Sequence, residues 1–530
     1  MMNTLFLNGK IAALDEKNNF YEALGIKNNI IEFLGTTEEG NAEKASYDQI
    51  IDLNGKVVLP GFNDSHLHLL NYGYTLEKMD LTKVNSIEEM IAAGIEFIAE
   101  RQATSLNCLL GRGWNQDKLN ENRFPTREDL DKISTEIPVI FTRICGHIAV
   151  CNSVALDHIY HGILEGNKNI DLSKGIFMED ALSIIYGIIP PPSVESMKSM
   201  ILRTCDELLS YGITSVQTDD FDAMPDKSFE NVIKAYKELL SEGNLKVRIY
   251  EQCLFENLDV FKEFIHNGYK TGMGDDFFKI GPLKLLLDGA LGGRTALLRE
   301  AYSDDAGNCG IGLYSQEALN KYIKTAHNNG FQTAAHCIGD KAMDLYLNAL
   351  DNLNTPLKAG RHGIVHCQIT NGEIIERMNN MDVMAYIQPI FLDYDMHIVE
   401  DRVGSRYKET YAFKTMDDKG IKLSIGCDAP VVHFNPFENL YSAVCRKDLN
   451  NFPEGGFMPE EKLSLERALK LFTSGSAYCS FDEDKKGTLE IGKLADLVVL
   501  DKDIFKIPED EIRYVQAEMT MVDGKIVYTR

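Results

Sequence analysis

Residues 57–69 read VVLPGFNDSHLHL, an apolar run that ends in His66 and His68. Side chains two positions apart on a β-strand point to the same face, so these two imidazoles can approach one metal ion. A chain with 12 histidines among 530 residues contains about 0.3 such pairs by chance, so the pair alone is weak evidence for a metal site. Whether this pair marks a metal site depends on which other metal-binding side chains the rest of the chain brings close to it.

The middle of the chain alternates between short apolar runs and amphipathic helical patterns. The helical patterns VESMKSMILRTCDELLSYG and SQEALNKYIKTAHNNG each end at a glycine, which suits a helix C-terminus. Counting residues 57–69, eight segments have the character of buried strands. The other seven are GITSVQT (212–218), KVRIYEQCLF (246–255), GPLKLLLDG (281–289), GFQTAAHCIG (330–339), RHGIVHCQ (361–368), DVMAYIQPIF (382–391) and KLSIGCDAP (422–430).

Eight strands that alternate with helices predict an α/β chain built on a (β/α)₈ barrel, which needs roughly 250 residues. An open doubly wound sheet has the same local pattern, so periodicity leaves both folds open. Short strands and turns such as Asn54-Gly55 and Asp523-Gly524 predict one β-sandwich made from both termini. About 140 residues separate the first two barrel strands, more than a crossover needs, and predict an inserted cap. The predicted domains are 1–57 with 486–530 for the sandwich, 58–74 with 181–485 for the barrel, and 75–180 for the cap.

Three further strand candidates end in side chains that bind metals. His336 follows QTAA, His366 follows RHGIV, and Asp428 follows KLSIGC. All strands of a (β/α)₈ barrel end at one face, where active sites lie, so these side chains and the first histidine pair are expected to converge. Neutral imidazoles with a carboxylate suit Zn²⁺, with Mn²⁺, Fe²⁺ or Co²⁺ as substitutes. The sequence therefore predicts a metal site at this face.

Lys284 lies inside GPLKLLLDG, an otherwise apolar strand where a charged ammonium group costs desolvation energy unless it is paired or neutral. Two interpretations follow from the residues alone. In the first, the amine reaches a carboxylate such as Asp288. In the second, a neutral amine captures CO₂, and the resulting carbamate bridges two metal ions. Lys279, five positions earlier, faces the opposite side of a regular strand and is interpreted as structural.

The composition restricts the class of protein. Apolar residues make up 44% and charged residues 25%, the balance of a soluble globular protein. With 54 Lys and Arg against 80 Asp and Glu, the net charge of −26 disfavours binding to nucleic acid or an anionic membrane surface. The first residues lack the pattern of a signal peptide, and we find no apolar stretch long enough to span a membrane. Eleven cysteines without a CxxC pair indicate reduced thiols, so we expect a cytoplasmic protein.

Five motifs in this order resemble the amidohydrolase superfamily, specifically the amidohydrolase-family-3 branch that includes N-substituted formamide deformylases. The motifs are VVLPGFNDSHLHL, LKLLLDGALGGRTAL, TAAHCIGDKAMD, RHGIVHCQ and LSIGCDAPV, and the tail GTLEIGKLADLVVLD matches as well. The resemblance covers residues 3 to 527. It implies a (β/α)₈ (TIM) barrel rather than an open sheet, with a composite β-sandwich from both termini and an inserted cap.

The resemblance also implies roles for the residues singled out above. Lys284 falls where this branch has its carboxylated lysine, so it implies a carbamate made from CO₂. Asp428 matches the aspartate of the eighth barrel strand. The histidine ligands implied for the first, fifth and sixth strands are His66 with His68, His336, and His366.

Three more residues match features of this branch and are expected to contact substrate. Arg294 lies in GGRTAL, Trp114 in GRGWNQ, and His147 in GHIAVCNSVAL. Trp114 has two interpretations of equal weight, because it either closes the substrate pocket or belongs to the core of the cap.

The implied activity is hydrolysis of a C–N bond, amide or N-acyl or N-formyl, in a small molecule by metal-activated hydroxide. One or two zinc ions polarise the carbonyl, Asp428 moves the proton to the leaving nitrogen, and His366 or a neighbour stabilises the oxyanion. Esters, lactones and organophosphates react with the same hydroxide, so a metal-dependent esterase or lactonase is the main alternative. A non-catalytic scaffold is a weaker alternative, because the ligand set is intact. Homo-oligomers are common in this superfamily, and the sequence leaves the substrate and the oligomeric state open.

Overall fold

The computed structural model describes residues 2–101, 107–159 and 167–530. Two pieces of the predicted cap, residues 102–106 and 160–166, therefore lie outside the described residues. The chain divides into two compact units. The first contains residues 1–69, 205–223 and 237–530, and the second contains residues 70–204 and 224–236.

The strands, numbered along the chain, are β1 (Thr4–Leu7), β2 (Lys10–Ala12), β3 (Phe20–Tyr21), β4 (Ala23–Lys27), β5 (Ile30–Gly35), β6 (Gln49–Asp52), β7 (Val57–Pro60), β8 (Phe62–Leu67), β9 (Lys78–Asp80), β10 (Leu109–Trp114), β11 (Val139–Arg143), β12 (Ile148–Cys151), β13 (Ile170–Asp171), β14 (Ile176–Met178), β15 (Ile213–Thr218), β16 (Arg248–Leu254), β17 (Phe278–Leu286), β18 (Thr333–Cys337), β19 (Gly363–His366), β20 (Met384–Ile387), β21 (Leu423–Ile425), β22 (Leu497–Leu500), β23 (Ala517–Val522) and β24 (Lys525–Thr529).

The α-helices span Thr37–Glu43, Leu69–Leu76, Ile87–Arg101, Arg127–Asp131, Ser153–Asp157, Leu182–Tyr186, Val194–Ser210, Phe229–Ser241, Leu258–His266, Gln316–Asn328, Asp340–Asp351, Gly372–Asn380, Leu392–Asp395, Val399–Val403, Phe413–Asp418, Pro436–Cys445, Leu465–Lys470 and Ser476–Cys479. Within the described ranges, none of these helices combines the length and the apolar character needed to cross a bilayer.

A parallel sheet of eight strands lies at the centre of the first unit, in the order β21-β20-β19-β18-β17-β16-β15-β8. Its strands are the eight segments predicted from the sequence. Strands such as β15 are buried along their whole length, as expected for a parallel sheet covered on both faces. The two outer strands also meet at their carboxyl ends, because the Asp428 N–H donates to the His66 carbonyl at 2.8 Å. The nearly closed sheet confirms the predicted barrel and excludes the open doubly wound alternative.

The first unit contains two further sheets, and one of them combines strands from both ends of the chain. A four-stranded sheet has the order β5-β4-β1-β6, and a six-stranded sheet has the order β24-β23-β22-β7-β2-β3. In the second sheet β22 pairs antiparallel with β7, so Leu497 lies opposite Pro60. Phe6, Val58 and Met521 share one buried apolar cluster with Leu497. Both termini thus contribute to one β structure, while the exact domain boundaries stay a prediction.

The second unit contains a sheet of its own, with the order β13-β14-β12-β11-β10-β9. The pairs β9–β10 and β10–β11 are parallel, and β11–β12 is antiparallel. A buried cluster that includes Trp114, Phe141 and Leu130 forms the core of this unit. Residues 70–204 of this unit fall in sequence between the first two barrel strands, where the cap was expected, and residues 224–236 follow the second barrel strand.

Lys486, in the segment that precedes β22, has a buried side chain. Its Nζ donates to Ser215 Oγ at 2.8 Å and lies 3.7 Å from Asp482 Oδ2. Burial lowers the pKa of Lys486 from its ordinary value of 10.5 to about 8, although Asp482 opposes the shift. The unfolded chain therefore keeps this proton up to about pH 10.5, whereas the folded protein releases it near pH 8. The contribution of Lys486 to the free energy of unfolding must rise with pH across this interval.

We expect Lys486→Met to remove this dependence. Between pH 7.5 and pH 10, the wild-type free energy of unfolding should gain roughly 2 kcal/mol relative to the variant. Urea unfolding of both proteins at the two pH values measures this difference, and comparison with the variant cancels the titration of other groups. An equal pH dependence in the two proteins would show that Lys486 has an ordinary pKa in the folded state.

Candidate metal centre

The six side chains predicted as metal ligands meet at the carboxyl end of the barrel. They come from β8, β17, β18 and β19 and from the segments after β8 and β21. Ring centroids lie 4.4 Å apart for His336 and His366, and 5.7 Å apart for His66 and His366. His66 Nε2 lies 3.2 Å from Lys284 Nζ and 3.3 Å from Asp428 Oδ1. The exposed fraction is only 1% for His66 and Lys284, whereas the side chains of His68 and His336 are 24% and 16% exposed.

Three of the four histidines are oriented in the same way. Each has its Nδ1 3.0 Å from a side-chain oxygen supplied by another strand or the residues after it. An oxygen at that place accepts the Nδ1 proton and leaves Nε2 with a lone pair for a metal. The pairs are His66 with Gln252, His336 with Asp288, and His366 with Gln388.

His68 also has its Nδ1 against a side-chain oxygen, but this oxygen belongs to a carboxylate that contacts a second residue of the cluster. Its Nδ1 contacts the carboxylate of Asp219, the residue directly after β15, and its Nε2 lies 2.9 Å from Asp428 Oδ1. Burial alone lowers the pKa of His68, but the two carboxylates outweigh it and raise this pKa to about 10. Asp219 also lies 3.0 Å from Lys284 Nζ. Lys284 is therefore paired, and its partner is Asp219 rather than the predicted Asp288.

Asp64 links the backbones of the first and last barrel strands next to the proposed ligands. Its Oδ1 accepts the backbone N–H groups of His66 at 3.1 Å and Cys427 at 3.2 Å. Complete burial raises the pKa of Asp64 to about 7, although these hydrogen bonds oppose the shift. The carboxyl group thus fixes the backbone on both sides of the closing edge of the barrel.

Two of the predicted ligands have unusual backbone conformations. His366 has φ of +78° and Asp428 has φ of +68°, in the left-handed region that non-glycine residues rarely adopt. Each such conformation costs of order 1–3 kcal/mol and persists only where the surrounding structure enforces it. The barrel therefore holds these two side chains in orientations that an unstrained backbone would not give.

The donor set fits a divalent metal. Two groups of three side chains each offer one ligand atom, and the atoms of each group lie within 4.8 Å of one another. The groups are His66 with His366 and Asp428, and His66 with His68 and Asp219. Imidazole nitrogens combined with carboxylate oxygens are the usual zinc ligands of hydrolytic enzymes. The two groups share His66, so they form one continuous cluster of donor atoms.

The three residues predicted to contact substrate lie in different surroundings. Trp114 has no exposed surface and its Nε1 donates to the Phe141 carbonyl at 2.9 Å, which corresponds to the core alternative rather than a pocket lid. His147 is exposed in the same unit, with Nδ1 3.0 Å from Glu179 Oε2. Arg294 belongs to the first unit. Contact of His147 or Arg294 with substrate stays a prediction.

The sequence interpretation missed three of the four polar residues that contact the proposed ligands, and it paired the fourth, Asp288, with Lys284 instead of His336. A signal was present, because each is a polar side chain within or directly after an apolar strand segment that the sequence defines. Asp219 directly follows GITSVQT, and Gln252 interrupts KVRIYEQCLF. The four residues are Asp219, Gln252, Asp288 and Gln388.

Comparison with known proteins identifies the class. The amidohydrolase family model matches residues 49–528. The Bacillus subtilis (strain 168) protein YtcJ is 31% identical over 542 residues, which cover 100% of both chains. An N-substituted formamide deformylase of Arthrobacter pascens is 23% identical over 572 residues, covering 100% of this chain and 99% of that protein. The crystal structure of an uncharacterized metal-dependent hydrolase from Pyrococcus furiosus matches with a TM-score of 0.79 and 31% identity, over 95% of this chain and 100% of the other.

The barrel and its histidine–carboxylate centre are those of a metal-dependent hydrolase. The chain belongs to the amidohydrolase family, since the family model covers most of its length. The resemblance inferred from the five sequence motifs is thereby confirmed.

Proposed function

We propose that the protein is a metal-dependent amidohydrolase that cleaves a carbon–nitrogen bond, amide or N-acyl or N-formyl, in a small molecule. The observation that carries this proposal is the position of Asp428, whose Oδ1 lies 2.9 Å from His68 Nε2 and 3.3 Å from His66 Nε2. A carboxylate inside the donor cluster can hold a metal and exchange a proton with the reacting water. The similarity to a formamide deformylase supports the choice of a C–N bond.

The proposed ligands are His66, His68, Lys284 as its carbamate, His336, His366 and Asp428, with zinc as the expected metal. A divalent ion held there supplies a Lewis acid and lets water lose a proton near neutral pH. Asp428 accepts that proton and delivers it to the leaving nitrogen, so water adds OH to the acyl carbon and H to the amine. The products are a carboxylate and an amine.

Only one ring nitrogen of His366, Nε2, is available to bind a metal or contact the substrate. Its Nδ1 donates to Gln388 Oε1 at 3.0 Å, so only Nε2 faces the other ligands. Burial and the neighbouring His336 lower the pKa of His366 well below its usual value, which keeps the imidazole neutral. A neutral Nε2 carries a lone pair and no proton. We therefore assign His366 to the metal and not to donation of a hydrogen bond to the oxyanion.

Arg294 is the proposed anchor for an anionic group of the substrate. Its guanidinium makes two bonds to Asp304, at 3.0 Å and 2.8 Å, and Arg402 contacts the same carboxylate. Asp305 is a second carboxylate close to Arg294, and both acids raise the pKa of this arginine. A substrate carboxylate that reached Arg294 would pair with the same guanidinium.

The test begins with the metal content of protein purified without chelator. About two equivalents of zinc or a similar ion per chain are expected for a carbamate-bridged pair, and about one for a mononuclear centre. Release of amine from N-formyl and N-acyl amines should then depend on that metal and stop when a chelator removes it.

Matched esters and lactones serve as the comparison substrates. Hydrolysis of these alone, with the N-acyl amines untouched, would replace the proposal by an esterase or lactonase. Absence of bound metal even after incubation with zinc and bicarbonate would leave a non-catalytic scaffold as the interpretation.

A further inference from the structure

Asp219 occupies a position in the centre that the six predicted ligands do not cover. It directly follows β15, the second barrel strand, and its side chain has no exposed surface. Its Oδ1 contacts His68 Nδ1, and its Oδ2 lies 3.0 Å from Lys284 Nζ. Both contacts are to residues of the proposed metal shell.

The contrast with Asp288 separates Asp219 from the residues that only orient a ligand. Asp288 accepts the His336 Nδ1 proton and also the backbone N–H groups of Leu297, Ile338 and Gly339, at 2.8 to 3.1 Å. Its charge is thus satisfied by fixed donors of the fold. Across the described part of the chain, the carboxylate of Asp219 has hydrogen bonds or ion pairs with His68 and Lys284 alone. Its oxygens are not committed to the backbone.

The charge of the centre also favours a metal-binding role for Asp219. With Lys284 as an ammonium, one divalent ion brings the positive charge to three, and Asp428 removes one. With Lys284 as a carbamate, two ions bring four positive charges, and the carbamate and Asp428 remove two. Counted over the ions and the proposed ligands alone, both states leave an excess of two positive charges in a buried site, which is costly. Asp219 reduces the excess to one, which a single small anion such as hydroxide can neutralise.

We propose that Asp219 is itself a metal ligand, in a subsite that it forms with His66 and His68. One ligand atom from each of these three residues already lies within 4.8 Å of the others. A shift of the contacting His68 and Asp219 atoms away from each other opens the space for an ion between them. The inference rests on the proposed metal-dependent function, and extends the shell to the second barrel strand.

The first test measures zinc affinity by competition with a chromophoric chelator. Asp219→Asn should raise the dissociation constant of one bound zinc by at least about 100-fold, beyond the loss typical of residues outside the ligand shell. Asp220→Asn is the matched control, because this buried neighbour accepts the Thr218 hydroxyl at 2.9 Å and is not among the ligand atoms. It should bind zinc as the wild type does. A smaller increase for Asp219→Asn would overturn the inference.

The second test needs no variant and therefore does not depend on whether Asp219→Asn folds. A crystal structure of the zinc-loaded wild type should place one oxygen of Asp219 about 2.0–2.2 Å from an anomalous zinc peak. An Asp219 carboxylate farther than about 3 Å from every zinc would overturn the inference while leaving the proposed function standing. Wild-type protein that takes up no metal would instead refute the proposed function.

Discussion

Replacing Asp428 with asparagine is expected to lower kcat by about three to four orders of magnitude while most of the metal stays bound. Asparagine has nearly the same size and keeps an oxygen toward His68 and His66, so the ligand geometry changes little. An amide, however, cannot take a proton from water and pass it to the leaving nitrogen. Loss of turnover with retained metal is the result that assigns Asp428 to proton transfer.

The measurement combines steady-state kinetics on an N-acyl amine with elemental analysis of the same sample. Asp220→Asn makes the same carboxylate-to-amide change one residue beyond the ligand shell, and should keep the wild-type kcat. If Asp428→Asn turned over at the wild-type rate, proton transfer would have to be assigned to another group. If it lost its metal as well, the fall in kcat would report on binding and not on chemistry.

The positions of the proposed ligands at the ends of the barrel strands could be predicted because they depend on local pattern. His336 and His366 each close a short apolar run, and parallel barrel strands end at one face whatever their order. The choice between a barrel and an open sheet needed the family resemblance, since both folds share the same alternation. The structure then confirmed all eight barrel strands.

The partners of those ligands could not be predicted, because they depend on the register between strands. Asp288, four residues after Lys284, was the natural candidate for its amine. The structure uses Asp288 for His336 and for backbone N–H groups, while Lys284 meets Asp219, 65 positions earlier in the chain. Only the folded barrel brings that pair together.

Trp114 shows a different limit. Its neighbours in GRGWNQ are polar and glycine residues, which is also the composition of a substrate loop. In the structure the residue ends β10, and its ring packs against Phe124 with the centroids 5.4 Å apart. Whether a tryptophan in such a mixed sequence is buried depends on the sheet that it joins. The local sequence pattern does not reveal that sheet.

Lys284→Ala is expected to abolish tight metal binding and, with it, activity. Lys284 is buried in β17, and its Nζ lies 3.2 Å from His66 Nε2 and 3.0 Å from Asp219 Oδ2. Under the proposed function this amine, once carboxylated, supplies the anion that bridges the metals. Alanine removes the bridge and leaves a cavity beside the ligands. A short carboxylate such as acetate or propionate can enter that cavity, so added carboxylate should restore part of the metal content and part of the turnover.

Lys279→Ala is the control on the same strand. Lys279 Nζ donates to the Ser480 carbonyl at 2.8 Å and to Asp482 at 2.5 Å, and neither partner is a proposed metal ligand. The loss of Lys279 should therefore lower stability but not metal content. Elemental analysis and kinetics of both variants, with and without carboxylate, separate the two roles. Full metal content and full activity in Lys284→Ala would show that no bridge from this residue is needed. Loss without any rescue, in a protein that still folds, would favour the ion pair with Asp219 as the function of Lys284.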